Sequence, residues 1–390
     1  MRETPVGESS AGSEQNMKKL MLVIAGLVVL SVLAGAAYLQ HPKFGDSPKG
    51  SALKKISRSD NYQRGQFQNQ IETPLFREGE SFLSVITGNL RSPGQNLRPQ
   101  NPVPSETPDF SALDKSQDLV VWLGHSSYFV QLHGLRILID PVFSGNAAPL
   151  PSVNKAFRGS TAFTAEAMPP IDYLLITHDH WDHLDYPSIQ ALQSKVQRVV
   201  TGLGMGAHFR AWGFSEEQIV EGDWYDSVAL SGTVALHIAP ARHYSGRALS
   251  RNQTLWVGLV LTTADQRLYF SGDTGYGPHF VELADRFGDF DFVALDLGQY
   301  DARWPYIHMT PDQAVVAAEE LGAGYLLPAH VGRFSLARHD WRAPFERVRE
   351  LSESKSFELL TPVIGQVMGL SKPDSKTGSA WWEQVDDAQG

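Results

Sequence analysis

The chain has 390 residues, 42% of them hydrophobic, with 34 glycines, 23 prolines and no cysteine. That length and apolar content suit one large α/β domain with terminal extensions and exclude a largely disordered chain. A formal net charge of -10 argues against the basic surface that follows a phosphate backbone, so no nucleic-acid partner is expected; the lack of cysteine excludes disulfides, thiolate ligands, a cysteine nucleophile and a lipid-modified N-terminal cysteine.

Residues 1–19 are polar and without pattern, and Met17-Lys18-Lys19 looks more like a true start than Met1 does. Residues 20–39 follow without a single charge. A helix of that length, at about 1.5 Å per residue, spans roughly the 30 Å of a hydrocarbon core. A cleaved signal is the alternative, with small residues at Ala34-Gly35-Ala36, but an apolar signal core usually runs only about 7–15 residues. The run therefore reads as a transmembrane anchor. Lys18 and Lys19 on its N-terminal side leave the remainder outside the cytoplasm, on the periplasmic side if the source is a Gram-negative bacterium.

Residues 40–118 are rich in Gln, Asn, Pro and Ser, and read as a linker or packing extension. Tyr62, Phe67, Leu75, Phe76, Phe82 and Leu83 suggest that it packs on the main domain, although Phe82 to Ile86 could instead face lipid. Pro102 to Pro108 mark an extended joint. The main domain is expected over 119–370. It opens with strands at 118–123, 128–132 and 135–140 in hairpin order, which argues for a meander rather than a doubly wound nucleotide fold. A strand at 171–176 precedes a His-rich loop, a helix is expected at 188–193, and strands follow at 198–201, 234–240, 255–262 and 267–271. Helices are predicted at 278–287, after the Thr310-Pro311-Asp312 cap and at 344–352, with strands at 292–297 and 325–327 between them. Gly202 to Gly206 lacks the spacing and lysine of a phosphate loop and reads as a strand-to-helix turn. The tail, 371–390, is polar apart from Trp381-Trp382 and is expected to be loosely ordered.

The chemistry concentrates at Thr177-His178-Asp179-His180-Trp181-Asp182-His183, which follows the apolar run 171–176. A loop at a strand end would gather His178, His180, Asp182 and His183 around a cavity, and imidazole with carboxylate suits zinc or a similar metal. Close histidines repel when charged, so their clustering needs a reason. Three further candidates each follow a predicted strand: His243, Asp273 and His330.

The loop carries the His-x-His-x-Asp-His signature and resembles the metallo-β-lactamase superfamily, as does the later order His, Asp, His. The resemblance implies an αβ/βα sandwich with two Zn2+, or other divalent ions such as Mn2+ or Fe2+. It places His178, His180 and His243 on one ion, Asp182, His183 and His330 on the other, and Asp273 between them. True metallo-β-lactamases typically have cysteine where Asp273 stands, so the resemblance is to the phosphodiesterases and lactonases. Trp122-Leu123-Gly124-His125, Asp140-Pro141-Val142-Phe143-Ser144, Gly272-Asp273-Thr274-Gly275-Tyr276 and Gly298-Gln299-Tyr300-Asp301-Ala302-Arg303-Trp304, in that order, are similar to the N-acyl-phosphatidylethanolamine-hydrolysing phospholipase D family over about residues 119–346.

That family implies a phospholipid substrate at a membrane and attack of a metal-bridging hydroxide on phosphorus, with the ions about 3.5–4 Å apart. Catalytic roles fall on Asp182, Asp273 and His308, the last matching a histidine at the site rim that is not a ligand. His125 reads as a structural hydrogen-bonder beneath the site, and His208, His237, His279 and His339 as ordinary residues. Two alternatives carry the same residues: a lactonase of the ascorbate-6-phosphate type, and a metal-binding envelope protein without turnover. Protein partners are not legible.

Overall fold

The apolar run near the N-terminus forms a helix longer than its composition delimits. The computed structural model describes residues 9–91, 94–247, 249–371, 373 and 378–386. The chain divides into two units, Met1–Phe44 and Gly45–Gly390. The first contains α1 (Ser9–Leu39) and a short 3-10 turn at Pro42–Phe44. Helix begins well before residue 20 because nothing breaks it there: once the apolar part is helical, each added polar residue costs little, and Lys18 pairs with Glu14 one turn away (2.8 Å). Within α1, Glu14–Leu39 is long and apolar enough to cross a bilayer, its most apolar stretch having a mean hydropathy of 2.7.

The second unit starts with α2 (Gly50–Ile56), the small hairpin β1 (Tyr62–Gln63) and β2 (Gln66–Phe67), and α3 (Phe82–Arg91). Next come β3 (Leu119–Trp122), β4 (Tyr128–Leu132), β5 (Leu135–Ile139) and β6 (Ile171–Ile176). The turn between β4 and β5 is His133-Gly134, with φ of 49° and 81°; positive φ at both central residues is what a tight hairpin turn needs. After β6, the chain runs through α4 (Tyr186–Leu192), β7 (Val196–Gly202), α5 (Gly206–Ala211) and β8 (Ile219–Gly222).

The second half repeats the plan. It has β9 (Ser227–Ala229), β10 (Ala235–Ala239), β11 (Gly258–Thr262) and β12 (Arg267–Phe270), then α6 (His279–Phe287) and β13 (Phe292–Asp296). There follow α7 (Pro311–Glu320), β14 (Tyr325–Ala329), α8 (Ala343–Ser352) and β15 (Glu358–Leu359). β16 (Val367–Gly369) and α9 (Trp381–Asp386) complete the chain. The sheet orders are β16-β3-β4-β5-β6-β7-β8 and β15-β14-β13-β12-β11-β10-β9. In the first sheet β16, β3, β4 and β5 are antiparallel to their neighbours and β5 to β8 run parallel; in the second β9 to β12 are antiparallel and β12 to β15 parallel. β4 and β13 are buried at every residue, as strands covered on both faces are. This is the αβ/βα sandwich.

Three expectations need correction. The tail is not loose where it is described: Trp381 and Trp382 are 4% and 1% exposed, and Trp382 stacks on Phe345 of α8 (4.9 Å between ring centroids), because two indoles offer more apolar area than the polar neighbours can keep in water. The strand expected from Leu255 starts at Gly258. Leu255 and Val257 instead donate their N–H groups to Leu203 and Thr177 carbonyls (2.8 and 3.0 Å), so three more apolar residues serve a crossing to the first sheet. The helix expected at 188–193 begins at Tyr186, since Asp185 caps it by accepting from the Ser188 N–H and Pro187 suits its first turn.

Candidate metal centre

The predicted ligands converge at the ends of four strands. β6 delivers the chain to the loop, where the His183 and Leu184 N–H groups fold back to the His180 carbonyl (3.2 and 2.8 Å). His243 lies beyond β10, Asp273 beyond β12 and His330 beyond β14. All seven are buried except His180, which is partly so.

One set comprises His178, His180, His243 and Asp273, whose donor atoms lie within 4.8 Å of one another. His180 Nδ1 is 2.9 Å from His178 Nε2 and 3.2 Å from His243 Nε2. Asp273 Oδ2 lies 3.6 Å from both of those Nε2 atoms. The other set comprises Asp182, His183, His330 and His125. Here Asp182 Oδ2 is 3.6 Å from His183 Nε2 and 3.8 Å from His330 Nε2. Asp273 turns its second oxygen to this set, with Oδ1 3.0 Å from His183 Nε2 and from His330 Nδ1.

A cation fits these residues. His183 Nε2, His330 Nε2 and Asp273 Oδ1 are buried and, although Oδ1 lies 3.0 Å from His183 Nε2, none is aligned for a hydrogen bond with any described residue; buried polar atoms left this way are costly unless something binds them. Imidazole and carboxylate donors suit zinc, manganese or iron(II). Burial holds His178, His243 and His330 well below the usual imidazole range, and neutral imidazole is the ligating form. Burial opposes the charge on Asp182 and Asp273, but His183 above all outweighs it and keeps both carboxyls ionised. Burial likewise opposes a proton on His183, yet Asp273 and Asp182 outweigh it and raise its pKa well above the usual value. The carboxylates thus call for positive charge at the position where a metal would supply it.

Three of the rings are oriented from behind, as metal-binding imidazoles generally are. His183 Nδ1 pairs with Asp140 Oδ2 (2.7 Å), His243 Nδ1 with the Ile307 carbonyl (2.8 Å) and His178 Nδ1 with the Thr177 hydroxyl (3.0 Å). Asp140 also accepts from the Thr177 N–H and hydroxyl (2.8 and 2.5 Å). His125 is the expected hydrogen-bonder beneath the site: its Nε2 is 2.9 Å from Asp182 Oδ2. Its backbone is in the left-handed region, φ 58°, as is that of His330, φ 63°. The two are tied together, His330 N–H donating to the His125 carbonyl and His125 N–H to that of Val331 (3.2 and 3.1 Å). Left-handed non-glycine backbone costs energy and collects at functional sites.

His308 sits on the loop before α7, its ring stacked on that of His330 (4.9 Å) and its Nδ1 2.8 Å from Asp296 Oδ2. Burial pushes the Asp296 carboxyl up to about 7, against the pull of His308. Among the candidate ligands opens a cavity of 590 Å³, lined also by the polar side chains of His308, Tyr244 and Arg251 and by the apolar ones of Leu75, Phe76, Phe82, Val85 and Val153.

Sequence reasoning gave no role to several residues that hold this site. Asp140 and Asp296 could have been suspected, since each is a carboxylate ending an apolar strand. Asn69 left no signal: its side chain donates to the His243 carbonyl and accepts from the His243 N–H (2.8 and 3.1 Å). Asp179 was passed over between two ligands, yet it accepts from the Gly246 N–H (2.7 Å) and the Thr254 hydroxyl (3.1 Å). His208 is not an ordinary residue. Its Nδ1 accepts from the Asp46 N–H (3.2 Å) and its Nε2 lies 3.4 Å from Asp179 Oδ2; burial opposes charge on Asp179, but His208 helps to hold its pKa down to about 2.

Comparison with known proteins agrees with this geometry. Residues 135–331 match a family described as the beta-lactamase superfamily domain. An uncharacterized protein of Mycobacterium tuberculosis is 36% identical over 338 residues, covering 85% of this chain and 90% of that one. An N-acyl-phosphatidylethanolamine-hydrolyzing phospholipase D of Caenorhabditis elegans is 27% identical over 267 residues, covering 64% and 75%. Among solved structures, the metallo hydrolase Igni18 of Ignicoccus hospitalis superposes with a TM-score of 0.51 at 18% identity, over 65% of this chain and 97% of that one. The chain belongs to the metallo-β-lactamase superfamily, as a metal-dependent hydrolase that resembles the N-acyl-phosphatidylethanolamine-hydrolysing phospholipases D.

Proposed function

We propose that this protein is a dinuclear zinc phosphodiesterase acting on phospholipid-type substrates, with N-acyl-phosphatidylethanolamine as the example its relatives supply. His178, His180 and His243 would hold one ion, Asp182, His183 and His330 the other, and Asp273 would face both. When bound, such a pair supplies a nucleophilic water near neutral pH and positive charge for the phosphoryl oxygens. The observation that carries the lipid reading is the cavity, 590 Å³, whose lining combines the polar candidate ligands with Leu75, Phe76, Phe82, Val85 and Val153, the mixture that a site for an amphiphile needs.

The protein's own groups then have defined tasks. The apolar wall receives an acyl chain and excludes water, and the ligand cluster receives the phosphodiester. Hydrolysis joins a water oxygen to phosphorus and breaks the bond from phosphorus to the ethanolamine oxygen. Asp296 engages His308 Nδ1, so Nε2 is left to hand a proton to that departing oxygen. An N-acylethanolamine leaves, and phosphatidic acid remains.

Residues 119–370 form the hydrolase domain in this reading, and residues 20–39 anchor it to a membrane on the side away from the cytoplasm. The test is incubation of metal-loaded full-length protein with N-acyl-phosphatidylethanolamine in mixed micelles, with products identified by mass spectrometry, beside a generic phosphodiester and a generic lactone. Release of N-acylethanolamine is expected. Turnover of the lactone alone would move the assignment to a lactonase, and turnover of none of the three would leave a metal-binding protein.

A further inference from the structure

Helix α3 is amphipathic in the wrong sense for a protein surface in water. Phe82, Leu83, Ile86 and Leu90 point outward and are 64%, 69%, 41% and 79% exposed. The side turned to the domain carries Val85, which is buried and borders the cavity, and at its margin the exposed Asn89, whose Oδ1 accepts from Arg303 Nη1 (2.9 Å). Arg303 also reaches the Val85 carbonyl (3.5 Å), and its own carbonyl accepts from the Arg77 N–H (2.9 Å). These hydrogen bonds fix which side of the helix faces in. A helix on a core normally turns its apolar stripe inward, so the outer stripe of α3 needs another explanation.

We infer that the outer face of α3 docks on a zwitterionic phospholipid surface and sets the cavity mouth against it. Three observations favour that occupant. First, the exposed stripe is continuous with the cavity wall: Phe82 and Val153 both border the cavity and both remain substantially exposed, Val153 at 42%. Apolar lining that runs out to the surface lets an acyl chain pass inward without exposing its methylenes to water, each of which is unfavourable. Secondly, α3 has no acidic residue and a single basic one, Arg91, on a chain of net charge -10. Interfacial helices that seek anionic lipid carry rows of Lys and Arg; this one does not, and so suits lipid without net charge. Thirdly, the chain carries a helix long and apolar enough to cross a bilayer, so a lipid surface is an available partner.

The inference rests on the lipid reading of the site, but its test does not depend on turnover. The natural chain has no cysteine, so Leu83→Cys and Leu90→Cys each give a unique thiol for an environment-sensitive fluorophore, with exposed Glu353→Cys as reference. The full-length labelled protein is reconstituted in phosphatidylcholine vesicles. Lipid-borne quenchers are expected to quench the labels at 83 and 90 several-fold more than the label at 353, with no dependence on salt. Equal quenching at all three positions overturns the inference. So does shielding of 83 and 90 from a water-soluble quencher without quenching by lipid, which would indicate a second copy of the chain on this face. The double variant Leu83→Ser, Leu90→Ser should lower hydrolysis of vesicle-borne lipid by about tenfold or more and leave a water-soluble phosphodiester unaffected. An equal loss on both substrates would also overturn it. Preferential lipid quenching in a protein without phosphodiesterase activity would leave the docking face standing and refute only the reaction.

Discussion

Residues 119–370 and residues 45–118 build the same site by different means. The first region presents functional groups at strand ends, where the sheet ladders fix the backbone and the side chain follows. The second offers the site one helix, α3, and otherwise reaches it through side-chain and backbone hydrogen bonds from irregular chain: Asn69 to His243, the Phe67 N–H to the Asn252 carbonyl (2.8 Å), and Arg242 to Thr73 and the Glu72 carbonyl (3.0 and 3.1 Å). It also supplies Leu75, Phe76, Phe82 and Val85 to the cavity wall. The difference separates two tasks. The sandwich holds the reacting centre, while the segment before it shapes what reaches that centre and steadies one of its loops.

If the division is right, substitutions in the sandwich should abolish chemistry or metal, and substitutions in the segment should only soften them. The largest effect is expected for Asp273→Ala, because Asp273 turns one oxygen to each donor set. Turnover should fall by roughly a thousandfold or more, and metal content should drop below two ions per chain. The far-ultraviolet circular dichroism should stay as it is, since Asp273 lies beyond β12 rather than within a ladder. Wild-type turnover by this variant would remove the dinuclear assignment.

Next is His308, which belongs to the sandwich but not to either ligand set of the proposal. His308→Gln should keep both metals and the melting temperature while lowering phosphodiester turnover about 10²-fold, the low end for a lost proton donor. Unchanged turnover with unchanged metal would make it a packing residue and leave the departing oxygen to metal and water alone.

His125 sharpens the same side of the comparison. Its imidazole holds Asp182, and its backbone is tied to that of His330, so it touches two groups of one donor set without belonging to the expected ligands. His125→Ala should weaken metal affinity about 10- to 100-fold, the usual range for a residue that orients a ligand, and only for the ion held by Asp182, His183 and His330. Competition with a chelator would show one ion lost early and one retained. Loss of both together would mean that the strained turn at His125, rather than its ring, had given way; His125→Gln, which can still donate to Asp182, separates the two by restoring the weaker ion.

How much of this could be read in advance follows from the same contrast. The strands at 128–132 and 171–176 and the helix after Thr310 were legible because their apolar spacing or capping residues are local. The clustering of the candidate ligands was legible because four of them lie in one loop and the other three follow apolar runs. β8, β9, β15 and β16 were not, being edge or near-edge strands of two to four residues, too short for alternation to declare itself. The burial of Trp381 and Trp382 depends on α8, far away in the sequence. Asn69, Asp179 and His208 were silent for a related reason: a side chain that hydrogen-bonds to backbone from a distant segment needs no pattern around it.

Asn69 gives the smallest expected effect and the closest test of the comparison. Its amide completes both hydrogen-bonding groups of the His243 backbone, and its oxygen also accepts from Trp256 Nε1 (3.0 Å). Asn69→Ala would leave the His243 N–H and carbonyl without those partners, at about 1–3 kcal/mol for a buried group; Trp256 Nε1 keeps a second acceptor in the Ala241 carbonyl (2.9 Å). The cost falls on the loop that carries one ligand, not on a sheet. Melting temperature should therefore drop by a few degrees, and affinity for the ion held by His178, His180 and His243 should weaken about tenfold, with turnover at saturating metal nearly unchanged. Asn69→Asp keeps the acceptor and loses the donor, so it should fall between the two. If Asn69→Ala abolishes turnover even at saturating metal, the segment before the sandwich does more than steady the site, and the division drawn between the two regions fails.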